Sequence, residues 1–403
     1  MPVYDACIIG AGPSGLSTAL SASMRKARVA VFEEHREVGL LNARCGGLVS
    51  GRCIRNLNLS FKGEYVLNRV SEAVVHSPSG SLLTVKLGGE CFILDRVAFE
   101  KALALKALNN DAEIYAGVKV KKLNFYKSHV EIVTTSGVFK SGIAVDASGA
   151  LSVFTPAVLG LNPSLRRPIP SVQAEVKANG LNEDEVHVFL GRRIAPGFFG
   201  WVIPLNSNRA RIGLACEHGN PLSFLRNLLK KLNVEELYGV TKWPIITGGP
   251  LPKTFNSRFL SVGDAAGQSK PITGGGIFTG TLCGLIAGLA IAKKAEEGFI
   301  YAPEFYEKTW RRLLGYEFKM QRFYRRLFRT LDDELLEHVV TLLKNIGWNT
   351  LKDFDYHSKT IEGSFRKIWT ALGKPNTYPS ISAFVLKTIG SLLVHSALEK
   401  VST

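Results

Sequence analysis

Gly10, Gly12 and Gly15 stand in a G-x-G-x-x-G run, and an acid, Glu33, follows downstream. These types at this spacing can hold a dinucleotide. Gly10 makes a tight turn, Gly12 lets the main chain approach a pyrophosphate, and Gly15 lets a helix pack close to a strand. Glu33 can accept a ribose hydroxyl, and the helix start, with Pro13 and Ser14 in its first turn, presents N–H groups to phosphate. The flanking residues read as the elements this requires. Ala6-Cys7-Ile8-Ile9 is a short apolar strand, Leu16, Ala19, Leu20 and Ala22 mark a small-residue helix, and Arg28-Val29-Ala30-Val31-Phe32 is a second strand ending on the acid. Strand, glycines, helix, strand and acid all fall in order, which a ligand-free glycine turn does not require.

A second cluster selects a flavin over a nicotinamide. Ser261-Val262-Gly263-Asp264-Ala265-Ala266-Gly267 is followed by Pro271-Ile272-Thr273-Gly274-Gly275-Gly276-Ile277. A flavin's ribityl chain needs a carboxylate for a hydroxyl, which Asp264 supplies. The ring's O2, where negative charge builds on reduction, needs amides at a helix start, which Gly276 and Ile277 supply beside Gly275.

With both signatures in one chain, the sequence resembles the FAD-dependent family built like p-hydroxybenzoate hydroxylase. In that resemblance Arg96 matches an arginine on the FAD phosphate and ribityl region, and Val120 an adenine-contacting position; Asp146 and Gly149 join the expected cofactor set. Arg96 read alone is a charge opening a helix. Within the superfamily the chain is similar to the geranylgeranyl reductase group over roughly residues 1–330. Arg44-Cys45-Gly46-Gly47 matches that group's CGG/CGD loop beside the flavin. Pro196-Gly197-Phe198-Phe199-Gly200-Trp201-Val202-Ile203-Pro204 matches its PxxYxWxFP, with Gly213-Leu214-Ala215 as the trailing GxG. Phe199 stands in place of the tyrosine, Ile203 of the phenylalanine and Ala215 of the last glycine, so a hydroxyl contact to a substrate headgroup is lost while the stacking surface remains.

The resemblance implies saturation of isoprenoid double bonds in lipids, with hydride from reduced FAD and a proton from elsewhere. Phe198, Phe199, Trp201 and Pro204 are then substrate-binding. Aromatics in a β-rich region are commonly core. Here two prolines and two glycines suit a bent cavity wall better than a central strand. Cys45 is the candidate catalytic residue, set against water or the flavin itself as acid, and against an inert buried thiol. No second dinucleotide fingerprint is visible, so the electron donor is NAD(P)H bound transiently or a reduced ferredoxin-like carrier. The alternatives are a flavin-dependent monooxygenase, a halogenase (whose WxWxIP resembles Phe199–Pro204), or a non-catalytic basic protein on the same fold.

Composition sets the outer bounds. The chain has 403 residues, 46% hydrophobic, with a net charge of +16 and six cysteines. The cysteines show no CxxC spacing, so neither metal nor disulfide framework is expected and a reducing cytoplasmic compartment fits. The first strand starts at the N-terminus, leaving no room for an export leader. The positive charge points to an anionic membrane surface, with nucleic acid set aside because no recognition motif accompanies it. Trp310-Arg311-Arg312, residues 319–329 and the apolar run 384–394 suit an interface. Residues 274–292 carry no charge and could span a membrane by length. Their glycine stripe equally suits a core helix. The expected fold class is α/β (α+β): a discontinuous Rossmann-type FAD-binding domain (1–60, 92–165, 245–300), a β-rich substrate domain (61–91, 166–244) and a C-terminal helical region (301–403).

Overall fold

The computed structural model describes residues 3–39, 45–234, 236–298 and 300–357. The chain opens with β1 (Val3–Ile9), α1 (Pro13–Ser23) and β2 (Val29–Glu33). Short β3 (Leu48–Ser50) and α2 (Gly51–Asn56) lead into the long hairpin β4 (Val66–His76) and β5 (Leu82–Leu94), then α3 (Arg96–Leu108). Asp95 starts α3 by accepting from the amides of Val97 (2.9 Å) and Ala98 (3.1 Å), the usual role of a capping carboxylate. Next come β6 (Glu113–Ala116), β7 (Val120–Phe125), β8 (Val130–Thr134), β9 (Val138–Asp146) and α4 (Phe154–Leu159).

The first sheet runs β1 between β2 and β9, all parallel, with β6 beyond β2 and the β7–β8 hairpin joined through β9. Its other edge is β15 (Phe255–Asn256) and β16 (Phe259–Ser261), which come after all but the last of the second sheet's strands in the chain. That second sheet holds β10 (Pro168–Lys177), β11 (Glu185–Phe189), β12 (Gly200–Asn206), β13 (Arg209–Ala215) and β14 (Leu237–Ile246), with α5 (Pro221–Lys231) on one face. β4 and β5 complete it by parallel pairing of β4 with β11.

α6 (Ile277–Glu297) is long and apolar enough to cross a membrane, yet 72% of its apolar window is buried inside the protein. It packs along α1. A Cβ at Gly280 would lie 2.5 Å from Ser14 Oγ, at Gly284 2.5 Å from Ser14 O, and at Gly288 2.5 Å from Thr18 O. The glycine stripe is therefore a helix–helix seam of a core helix.

α7 (Ala302–Thr330) and α8 (Asp333–Asn345) follow, and β17 (Thr350–Leu351) joins the second sheet beside β5. Tyr306, Trp310, Leu314 and Phe318 recur at helical spacing on α7 and are buried against the first sheet's core. This corrects part of the interface expectation: Trp310 and Tyr324 are core residues, and the exposed side of α7 carries Leu313 and Tyr316 among Arg312, Lys319, Arg322 and Arg326. The run 384–394 lies outside the described residues.

The seam yields a test. Gly284→Ala places a methyl against main chain and should cost about 1–3 kcal/mol as overpacking. Gly315→Ala on α7, where a Cβ meets only Arg311 Cβ at 3.8 Å, should be neutral or stabilising by up to about 1 kcal/mol. Equilibrium denaturation of the two variants checks the contrast, and equal effects would mean that the seam is loose.

Candidate active site

The glycine loop after β1 has the geometry a dinucleotide needs. Gly10 sits at φ +96°, and a Cβ there would lie 2.7 Å from the carbonyl oxygen of Ala147. A Cβ on Gly15 would run into the carbonyl oxygen of Gly10. Gly12 differs: a Cβ there meets no atom of the described residues within 4 Å. Gly10 and Gly15 are thus required by the protein, whereas the room beside Gly12 is left for something else. Gly12 is also the cap of α1, which has no side-chain cap and carries Pro13 in its first turn. The first-turn amides are left facing that space. Glu33 ends β2, and its Oε2 accepts from the amide of Ala11 at 2.8 Å. Its Oε1 accepts from the amide of His35 at 3.1 Å and contacts the imidazole. One carboxylate thereby fixes the loop and borders the cradle.

The second signature arrives at the same place. Ser14 Oγ occupies the space where Gly263 and Gly280 would each need a Cβ, so the first turns of α1 and α6 meet. Gly276 caps α6 without a side-chain cap, and a Cβ on it would lie 2.8 Å from Asp264 Oδ1. Burial raises the Asp264 carboxyl above the ordinary carboxylate range, opposed by the Ser269 hydroxyl and by the charges of Arg96 and Arg166. Gly275 is exposed above this turn. The turn itself is held from below. Gln268 accepts from the amide of Gly263 (2.8 Å) and donates to Tyr306 Oη (2.9 Å), which in turn donates to the Ser261 carbonyl (2.7 Å).

Arg96 faces this cleft but is not a free charge. Its Nε donates to Glu100 Oε1 at 3.1 Å, with a second, shorter contact from Nη2. Burial alone would lower the guanidinium; Glu100 and the neighbouring Cys45 thiol outweigh it and hold it above its usual value. Two expected cofactor residues do other work. Asp146 is fully buried and accepts from the Ser148 amide (3.1 Å) and hydroxyl (2.5 Å), the Thr155 amide (3.0 Å) and hydroxyl (2.6 Å), and the Ser152 hydroxyl. It ties the loop after β9 to α4 and has no side left for a ligand. Val120 packs in the core between the first sheet and the β7–β8 hairpin, so only its main chain can reach the site. Gly149, at φ +83° with open space about it, turns the loop between them.

Arg44 lies outside the described residues; Cys45, Gly46 and Gly47 form a loop pinned to the second sheet. Arg211 Nη1 donates to the carbonyls of Gly46 (3.1 Å) and Leu94 (3.0 Å). Burial pulls its guanidinium down, and Cys45, Glu175 and Asp95 oppose the shift. Cys45 is half-buried, its Sγ accepting from the amide of Gly47 at 3.4 Å. Its carbonyl receives Gln173 Nε2 at 3.5 Å, while Gln173 Oε1 accepts from Trp201 Nε1 at 3.0 Å. Trp201 is therefore joined to the Cys45 loop through one side chain. Phe199 stands edge-on to it at 6.1 Å.

The rest of the aromatic segment departs from expectation. Gly200–Asn206 is an interior strand, paired with β11 and β13. Pro196 precedes it, and Pro204 sits at a register shift, where the missing N–H is tolerated. Side chains alternate across the sheet, so Pro204 points away from the face carrying Trp201 and Ile203, and is buried. Phe198 is 1% exposed and stacks under Phe199 at 4.3 Å. Phe199 and Trp201 remain as the open part of the wall.

Gln173, Arg211 and Gln268 escaped the sequence reading. The available signal was a polar residue inside an otherwise apolar strand, as in Val172-Gln173-Ala174 and Ala210-Arg211-Ile212.

Comparison with known proteins agrees with this geometry. Residues 8–50 match the family described as NAD(P)-binding Rossmann-like domain. An uncharacterized protein of Methanocaldococcus jannaschii is 34% identical over 352 residues, covering 84% of this chain and 88% of that one. Digeranylgeranylglycerophospholipid reductase 2 of Methanothermobacter thermautotrophicus is 28% identical over 357 residues, covering 85% and 92%. Among solved structures, a geranylgeranyl bacteriochlorophyll reductase-like protein from Thermoplasma acidophilum superposes with a TM-score of 0.80 at 20% identity, over 96% of this chain and 100% of that one. The probable FAD-dependent monooxygenase PqsL of Pseudomonas aeruginosa superposes less closely, at a TM-score of 0.67 and 15% identity over 84% and 100%. Two cofactor signatures in one cleft, a Cys-Gly-Gly loop tied to the second sheet, and relatives spanning most of their own length place the chain in the geranylgeranyl reductase family.

Proposed function

We propose that this protein is a flavin-dependent reductase that saturates carbon–carbon double bonds in the geranylgeranyl chains of lipids, with FAD as its cofactor. The observation that carries the reading is the Trp201–Gln173–Cys45 connection. It sets the open aromatic wall of the second sheet against the loop that borders the cofactor cleft.

The residues present fit FAD. Gly12 leaves an open cradle, the uncapped first turns of α1 and α6 offer amides, and Glu33 and Asp264 stand ready for hydroxyls. Bound and reduced, FAD would supply the hydride for one alkene carbon. The chain's own residues do the remainder. An isolated alkene has no carbonyl to activate it, so it must be held in register and kept dry. Phe199 and Trp201 offer apolar faces to a polyisoprenoid. Arg211 holds the Gly46 carbonyl, so the loop is fixed before substrate arrives. Cys45 neighbours Arg96 and Arg211 at the junction, which supports it as the proton donor to the second carbon. The electron donor is NAD(P)H or a reduced ferredoxin-like carrier, and the exposed cations of α7 suit docking to an anionic membrane surface from the cytoplasmic side.

Gly12→Val should leave the fold intact, because the protein offers no clash there, yet abolish flavin binding. The checks are flavin absorbance and melting temperature on one preparation. A flavin-loaded variant would remove the cradle from the argument.

Reduced enzyme incubated without oxygen with a geranylgeranyl lipid should give products heavier by pairs of hydrogens. Trp201→Ala should retain flavin while kcat/KM falls about tenfold or more, through lost apolar contact and a loosened Gln173. Turnover that needs oxygen and adds an oxygen atom would instead establish the monooxygenase chemistry, and flavin loss in proportion to activity would make Trp201 scaffold.

A further inference from the structure

A second concave site lies outside the cofactor cleft, where the start of β10 and the end of β13 meet the C-terminal half of α7. It has a volume of about 500 Å³ and is lined by Arg167, Arg322, Arg325, Arg326 and Arg329, with Glu217 as the carboxylate among its lining residues. Glu217 is already engaged on both oxygens: Oε1 accepts from Arg325 Nη2 and Oε2 from Arg329 Nε, each at 2.7 Å. Among the described lining residues, five arginines stand against this one carboxylate.

Arg325 carries the argument further. It is 4% exposed, and its Nε and Nη1 have no hydrogen-bond acceptor among the described residues. Phe198 lies 4.8 Å from its guanidinium carbon, a cation–π contact that offsets part of the burial but accepts no directed hydrogen bond. Burial pulls this guanidinium down to about 10, with Arg329 adding to the fall and Glu217 opposing it. A buried charged donor left unsatisfied is costly, and a compact anion is what would complete it.

The pocket also has a neighbour. Ile169 lines it and packs with Phe198, Phe199, Trp201 and Ile245. Ile245 in turn lies against Gly274 in the glycine run that opens α6. The apolar cluster beside the arginines thus reaches the glycine run that opens α6, and it includes the open aromatic wall.

The geometry points to a phosphate site in which these arginines hold the phosphate or diphosphate at the substrate's polar end, leaving the chain to run along Phe199 and Trp201. Guanidinium forks match phosphate oxygens in pairs, and several around one anion favour phosphate over a single carboxylate. This assignment rests on the prenyl-lipid reading above. Phe199 supports it, since a polar end held by arginines does not need the hydroxyl that Phe199 lacks.

The test uses flavin-loaded protein and an Arg322→Gln, Arg326→Gln double variant, both substitutions being at exposed positions. Equilibrium dialysis against inorganic diphosphate should show saturable binding that weakens about tenfold or more in the variant, as expected for lost charge-assisted bonds. Steady-state reduction should show KM for a phosphorylated geranylgeranyl substrate rising about tenfold relative to that for geranylgeraniol. Unchanged diphosphate binding would overturn the site, also if affinity for anionic vesicles alone fell, because that would make the cations a diffuse surface charge. Weakened diphosphate binding with both KM values moving together would overturn the headgroup assignment in favour of a free phosphate ligand. Diphosphate binding in a wild-type enzyme that reduces neither substrate would overturn the lipid reading and leave the phosphate site standing.

Discussion

The close approach of α1 and α6 is the constraint on which the rest depends. Ser14, Ser17, Thr18 and Ser21 face Gly280, Gly284 and Gly288 with no room for a Cβ. Ser21 Oγ adds a hydrogen bond of 2.8 Å to the carbonyl of Leu285. This contact joins segments more than 250 residues apart in sequence. It sets the first turns of two uncapped helices side by side, so that two sets of unpaired amides face one cleft. Wider helices would still fold on a parallel sheet, but their N-termini would diverge and the two halves of one ligand could not be held together.

The second sheet is secured to that cleft by polar contacts. Arg211 spans from β13 to the carbonyls of Gly46 and Leu94, and Gln173 bridges Trp201 to the Cys45 carbonyl. Buried polar groups of this kind cost free energy unless each finds a partner, and once satisfied they fix one arrangement against its neighbours. A purely apolar contact between sheet and loop would tolerate sliding. Two directed contacts to main-chain carbonyls do not, and the reacting carbon of an unactivated alkene tolerates little displacement.

What was legible in the sequence follows from the range over which each residue acts. Gly10, Gly15, Asp264 and Gly276 act on backbone within their own turns, so their spacing alone marks where the turns and helix starts lie. The α6 glycine stripe was readable as a helix face, and its partner became clear only in three dimensions. A carboxylate at a strand end looks the same in sequence whether it faces a ligand or, as the Asp146 side chain does, gathers five donors from its own loop and α4. The burial of Phe198 and Pro204 is not legible from composition, which does not report strand alternation around a register shift. Gln173 and Arg211 act on loops distant in sequence, and Gln268 links its own turn to α7, which leaves no period to detect.

The net charge of the chain is best understood by where its cations go. Arg96, Arg166 and Arg211 are buried: Arg96 is paired with Glu100, Arg166 donates to the Ser152 carbonyl at 2.8 Å, and Arg211 is bound to two carbonyls, so these hold the cleft together. Arg325 is buried to a similar depth and yet only partly satisfied. Among the described residues Arg166 leaves one nitrogen, Nη1, without a partner and Arg211 one, Nε, whereas Arg325 leaves two. A buried guanidinium two acceptors short among the described residues, beside four more arginines, is a feature that a compact anion would complete.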